Sequence, residues 1–202
     1  MILEGLVTSV DAAGGVHVAA MGPWVDEGQR LAARIERLVL RPFASSQTAT
    51  HLARHPQGVF HVTDDVLLLA RVVIGGFEPP PTRPAAAISG RVLVDACRAW
   101  EFVVDARDES EERVRLEARV VAEHAGRPFI GFNRAAHAVV EAAIVVTRLH
   151  LLDPAEVQRR LDELAVLVDK TGGRREQEAF TLLAGRAAAA RDTGRRGGDG
   201  AV

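Results

Sequence analysis

The chain has 202 residues, 48% of them hydrophobic and 26% charged, with a formal net charge of −2. That length suits one full core with a helical appendage. The near balance of charge argues against a nucleic-acid partner, which calls for a basic surplus, and no apolar run approaches a membrane span.

The start, Met1-Ile2-Leu3-Glu4, leads straight into a strand pattern without the basic and apolar regions of a secretory signal, so a cytoplasmic location is expected. Residues 2–10 and 16–21 are rich in β-branched and apolar types, and Asp11-Ala-Ala-Gly-Gly15 between them predicts a hairpin turn. The second strand ends at Met21-Gly22-Pro23. Residues 26–37 read as a loop or short helix, followed by a strand over 38–43. Ser45, Ser46 and Thr48 then open a short helix that runs to Arg54 and is closed by His55-Pro56, with Ser45 or Ser46 as its N-cap. A strand follows over 58–63. Its alternation puts Phe60 and Val62 on one face and His61 and Thr63 on the other, either lining a ligand cleft or lying on the wet side of a sheet. Asp64-Asp65 reads as the cap of a helix over VLLLARVVIG.

The run FEPPPTRPAAA at 77–87 holds four of the nine prolines and predicts a surface connector. Two long strands are expected next, Arg91–Ala106 and Glu112–Glu123, the second alternating apolar and charged residues as a sheet with one wet face does. Cys97 falls in the first. As the sole cysteine it excludes an internal disulfide, and between Ala96 and Arg98 it reads as a buried structural thiol. Beyond Pro128 the pattern turns helical: Asn133–Leu152, then Asp153-Pro154 to Lys170 ending at Gly172-Gly173, then 174–190. The glycine-rich tail has nothing to bury and is expected to be disordered. Strands first and helices second predict an α+β chain, an antiparallel barrel followed by a helical subdomain.

Arg41, Ser45, Ser46 and Thr48 hold the chemistry a phosphate needs: a fixed cation, hydroxyl donors and the free N–H groups of a helix start. The same spacing fits a capping serine beside a surface arginine, and on spacing alone that is the favoured reading. On the helix from Asn133, Arg134, His137, Glu141 and Arg148 share one polar stripe, an ion-pair seam or a pocket rim. His137 and Glu141 have the spacing of two metal ligands, but no third stands near, so no metal is expected. The chain has no GxGxxG, GxxxxGK[ST] or GxSxG motif and no tyrosine.

Five segments, MILEGLVTSV, VHVAAMGP at 16–23, LRPFASSQT at 40–48, GVFHVTDDVLLLA at 58–70 and GFNRAAHAVVEAAIVVTRLHLL at 131–152, together resemble the domain-of-unknown-function 447 family. Its solved members resemble the FMN-binding split barrels, the fold of flavin reductases and pyridoxamine-phosphate oxidases. The resemblance implies a split-barrel domain over 1–130, a helical subdomain over 131–190 and a tail over 191–202. It implies FMN as cofactor, its phosphate on Arg41, Ser45, Ser46 and Thr48 and its ring against the strand end Ala19, Ala20, Met21 and Gly22. His61, Asn133 and Arg134 are further candidate contacts. A homodimer with flavin at the interface is implied, acting as an oxidoreductase with NADH or NADPH as donor. The alternatives are a flavin-binding or interaction module without turnover, and a role tied to tetrahydromethanopterin-linked one-carbon metabolism. Two departures stand out: Met21-Gly22-Pro23 lacks the hydroxyls of the reductase strand end, and His51 stands where the reductases carry asparagine.

Overall fold

The N-terminal hairpin forms as its turn chemistry dictates. β1 (Leu6–Val10) and β2 (Val16–Ala20) pair antiparallel, Leu6 opposite Ala20 and Val10 opposite Val16. Asp11 builds the turn, its Oδ1 accepting from the N–H groups of Ala13 and Gly15 at 2.8 and 2.7 Å, while Gly14 takes a φ of 83° that side chains resist. These hydrogen bonds hold the Asp11 carboxyl below its usual range.

The structure, a computed structural model, describes residues 1–198, with side chains as far as Arg191. It divides into two units: Met1–Asp64 with Glu78–Phe129, and Asp65–Phe77 with the chain from Ile130 onward. In the first unit β1 and β2 are followed by α1 (Glu27–Leu31), β3 (Arg37–Leu40), α2 (Gln47–Arg54), β4 (Gln57–Val62), β5 (Thr82–Pro84), β6 (Arg91–Leu93), β7 (Arg98–Asp108) and β8 (Arg115–Ala125). Six strands form one antiparallel sheet in the order β2-β1-β4-β7-β8-β3. The sheet closes on itself: Ile2 bridges Trp24 in the register of β1 with β2, and Trp24 bridges Val39 of β3 through hydrogen bonds of 2.8 and 2.9 Å. Register shifts at Glu101/Phe102 and Val104/Ala106 bend the long β7–β8 ribbon as a barrel wall requires.

Inward residues of β1, β3, β4, β7 and β8 fill the barrel, among them Val7, Leu38, Phe60, Trp100, Phe102 and Leu116, with Ala49 and Leu52 of α2 joining them. Phe60 and Trp100 stack at 5.8 Å. The outer face of β1, β4 and β7 is covered by the β5–β6 hairpin, with Val92 packed on Val59 and Ala99.

The second unit holds α3 (Val66–Ile74), α4 (Arg134–Thr147), α5 (Pro154–Thr171) and α6 (Arg174–Gly198). Asp65, Asn133 and Asp153 cap the first three, each side chain accepting from N–H groups two or three residues on. The core is rich in alanine, with Ala70, Ala135, Ala142 and Ala179 fully buried beside Val139 and Leu183. Such small side chains let helix backbones approach closely. Among the described residues no helix is long and apolar enough to cross a membrane.

Several expectations need correction. The strand expected over 91–106 is two strands: β6 leaves the barrel to pair with β5, and a turn at 94–97 lets β7 begin afresh against β4, with the Cys97 N–H on the Val62 carbonyl at 2.9 Å. The proline connector therefore carries a strand of its own, Pro84 closing it on an edge where a missing N–H costs little. Cys97 is half-buried rather than buried. α4 stops at Thr147, five residues before Leu152, in a turn where Leu151 and Leu152 donate to the Arg148 carbonyl. α3, numbered within 1–130, belongs to the helical unit because Leu67, Leu69 and Ala70 are buried in that core. α6 passes residue 190, the alanine run Ala187–Ala190 giving no stop signal; residues 199–202 of the expected tail lie outside the described residues.

Candidate functional site

Barrel closure brings two of the predicted segments together. Trp24 and Val39 pair antiparallel, so the β2 strand end and the residues leaving β3 run on neighbouring segments, with Gly22 and Arg41 each two residues beyond the bridge on the same side. Ala19 and Met21 are half-buried and Ala20 is exposed. Met21 packs against the barrel core while its N–H donates to the Gly5 carbonyl at 3.0 Å. At Gly22 an added Cβ would meet Ile2 and Glu4 side-chain atoms at 2.5 and 3.0 Å, so this edge tolerates only a minimal residue without rearrangement.

After β3 the chain turns tightly through Phe43 to Ser46, whose N–H donates to the Phe43 carbonyl at 2.9 Å. Ser46 is the N-cap of α2, its Oγ accepting from the Ala49 N–H at 3.1 Å; Ser45 is exposed and Thr48 buried. The cap takes the Ala49 N–H, and the N–H groups of Gln47 and Thr48 have no acceptor within the helix. The connection between β7 and β8 holds this turn from the other side. Ala44 N–H donates to the Glu112 carbonyl at 3.1 Å, Val114 N–H to the Pro42 carbonyl at 2.9 Å, and Arg113 Nη1 to the Arg41 carbonyl at 3.3 Å. The Arg113 guanidinium lies 3.8 Å over the Phe43 ring. Arg107 Nη1 donates to the Ala49 carbonyl at 3.2 Å. Arg41 itself is half-buried, its Nη2 on the Glu111 carboxylate, and its Nε is buried with no hydrogen-bond partner. A guanidinium with an unsatisfied N–H beside a helix start fits an oxyanion, which accepts from both.

A histidine pair that the sequence did not expose joins the same helix to β2. His51 of α2 and His17 of β2 meet edge to face at 5.4 Å, and Ser9 Oγ lies 3.1 Å from His51 Nδ1. Burial, then the facing His51, lowers the His17 pKa. Ser9 and His17 are opposite one another in the β1–β2 ladder, but His51 is distant in sequence, so no spacing signalled the cluster.

His61 does not line a ligand cleft. It faces away from Phe60 as the alternation requires, but the β5–β6 hairpin covers that face and leaves the ring no exposure. Its Nδ1 lies 3.3 Å from the Leu6 carbonyl, and its Nε2 accepts from the Leu93 N–H at 3.0 Å. Burial lowers its pKa to about 4. The neutral ring is a crosslink between β4 and the hairpin. In the helical unit Asn133 is occupied as a cap: Oδ1 accepts from Ala135 and Ala136 at 2.7 and 3.2 Å, and Nδ2 donates to the Thr171 carbonyl at 3.2 Å. Arg134, His137, Glu141 and Arg148 are all exposed, and His137 stands against the Phe132 ring at 5.8 Å. Among the described residues no group of three or more His, Cys, Asp or Glu side chains is placed to hold a metal ion.

No curated protein sequence matches this chain. Among solved structures the chain is similar to an FMN-bound protein of Methanosarcina mazei, with a TM-score of 0.79 at 18% identity over 92% of this chain and 94% of that one. It is also similar to the styrene monooxygenase flavin reductase of Pseudomonas putida, at a TM-score of 0.50 and 13% identity over 62% of this chain and 81% of that one. An FMN-binding protein of Thermus thermophilus gives the same TM-score of 0.50 at 14% identity, over 63% of this chain and 78% of that one. The fold is thus α+β and of the split-barrel kind found in flavin reductases. Residues 3–127 match the N-terminal domain, and residues 133–185 the C-terminal domain, of the protein family of unknown function DUF447; the chain belongs to that family.

Proposed function

We propose that this protein binds FMN and acts as an oxidoreductase of the flavin-reductase type. Arg41, the hydroxyls of Ser45, Ser46 and Thr48 and the first turn of α2 hold the phosphate; the strand end Ala19–Gly22 takes the ring. The observation that supports this most is the pairing of Trp24 with Val39, which sets a small-residue strand end beside an arginine with a buried, unpaired Nε and a capped helix start. The likeness to an FMN-bound member of the same family over 92% of this chain adds to it. Bound FMN supplies the electron and hydride chemistry, and the chain's own residues bind, orient and exclude water. The working unit is a homodimer with flavin at the twofold interface, and the donor is NADH or NADPH.

The test compares FMN with riboflavin by fluorescence quenching. A charged hydrogen bond contributes about 1.5–3 kcal/mol, so loss of the phosphate weakens binding by about tenfold or more. Arg41→Ala weakens FMN and leaves riboflavin unchanged; equal affinity of the wild type for both flavins sinks the phosphate assignment. Oxidation of NADH and NADPH with a panel of acceptors separates an enzyme from a flavin-binding module. Light scattering giving twice 21.7 kDa with one FMN per chain supports the dimer.

A further inference from the structure

Arg41 is held by a single nitrogen. Its Nη2 contacts Glu111, while its Nε, buried inside the turn, has no hydrogen-bond partner. A guanidinium satisfies an oxyanion best side-on, through two N–H groups at once, and a buried N–H left unpaired is costly. The conformation that serves Glu111 is therefore not the one that serves the arginine.

Glu111 is not a loose surface charge that happens to touch Arg41. It sits on the β7–β8 turn, whose next residues grip the Phe43 turn: Glu112 through its carbonyl, Arg113 through its guanidinium on the Arg41 carbonyl, Val114 through its N–H on Pro42. The backbone thus presents the Glu111 carboxylate to Arg41. Its side chain is 68% exposed, so it can swing into water at little cost. An exposed ion pair of this kind contributes about 0.2–1 kcal/mol, weak enough to be displaced by a dianion that also reaches a helix start.

We infer that Glu111 is a displaceable carboxylate that competes with the flavin phosphate for Arg41, and so sets how tightly the phosphorylated flavin is held. The inference rests on the phosphate site proposed above. When phosphate arrives, Glu111 leaves Nη2 and the guanidinium turns to engage Nε as well. Unphosphorylated flavin makes no such exchange, so Glu111 affects only the phosphorylated form.

The experiment titrates the full-length protein and its variants with FMN, riboflavin and inorganic phosphate as competitor. Glu111→Gln keeps the shape of the side chain and removes the charge; it binds FMN about two- to fivefold more tightly, with riboflavin unchanged, and phosphate competes better to the same degree. Glu112→Gln makes the same charge change one residue away and leaves all three affinities as they were. In an Arg41→Ala background the effect of Glu111→Gln vanishes. If Arg41→Ala weakens FMN but Glu111→Gln does not tighten it, or if Glu112→Gln tightens it equally, the competitor role is overturned while the phosphate site stands. If Arg41→Ala leaves FMN affinity unchanged, the phosphate lies elsewhere and both readings fall.

Discussion

His124 Nε2 lies 2.5 Å from Oε1 of Glu101, a carboxylate with no solvent exposure. The same carboxylate accepts from the backbone N–H groups of Ala86 and Ala87 at 2.5 and 2.7 Å. It anchors the β5–β6 hairpin turn to the barrel wall, while Gln57 Oε1 accepts from Ser89 and Thr8 Oγ1 donates to the Arg91 carbonyl. Burial opposes the charge, but the N–H groups of Ala86 and Ala87 with His124 outweigh it and hold the Glu101 pKa below its usual value.

Glu101→Ala should therefore cost about 3–5 kcal/mol, because it strands two N–H groups and a histidine in a dry site. Urea unfolding measures the loss, and hydrogen exchange should show Ala86 and Ala87 losing protection first. A loss below about 1 kcal/mol would mean that water replaces the carboxylate and that the hairpin is held by its apolar contacts alone.

Acid should weaken the fold in a defined window. His61 has its pKa lowered from 6.5 to about 4, so between those values the unfolded chain binds a proton that the folded chain refuses. The stability this gives is fully present above 6.5 and is lost as pH falls toward 4, with a slope of up to about 1.4 kcal/mol per pH unit. His17, also lowered, acts in the same direction from 6.5 downward, and Glu101 adds its own loss below its usual carboxylate range. Urea midpoints at pH 7, 6, 5 and 4 test this. His61→Gln should be less stable at pH 7 but show a flatter dependence between 6.5 and 4; an unchanged slope would assign the proton to another group.

The two serines of the turn should separate cap from ligand. Ser46→Ala removes the acceptor for the Ala49 N–H and should cost about 1 kcal/mol of stability. Ser45 is exposed, so Ser45→Ala should stay within about 0.5 kcal/mol of wild type. If its hydroxyl binds phosphate, the same substitution weakens FMN by about two- to tenfold. Thermal melts beside FMN titrations give both readouts, and a Ser45→Ala protein unchanged in both removes that hydroxyl from the site.

Features written in adjacent residues were legible. Asp11 with Gly14 and Gly15 specified the hairpin turn, and Asp65 and Asp153 specified helix starts, because each acts on N–H groups within four residues. The cap at Ser46 was readable to within one residue for the same reason. What was not legible depended on partners far along the chain. The break between β6 and β7 follows from β5 competing for β6, and nothing in the run from Arg91 to Ala106 marks it. The alternation at His61 gave the correct face; only the hairpin covering that face turned a candidate ligand into a crosslink. Within the candidate site, Arg41 and the serines could be named, but Glu111 stands 70 residues from Arg41, and Ser9 stands 42 from His51. Such pairs are set by strand order, which spacing along one segment does not carry.

Asn133 offers the sharpest separation of fold from ligand. Its amide is used at both ends, Oδ1 on the first turn of α4 and Nδ2 on the last carbonyl of α5. Asn133→Ala loses the cap and the tie between two helices, and should cost about 2 kcal/mol. Asn133→Asp keeps the cap and loses the tie, so its cost should fall between Asn133→Ala and wild type. Neither should change FMN affinity, measured well below the unfolding midpoint. The neighbouring Arg134 is exposed, and Arg134→Ala should leave the urea midpoint unchanged whether or not the guanidinium meets the flavin. If Asn133→Asp instead weakens FMN at undiminished stability, the amide is a ligand contact and its capping bonds are secondary.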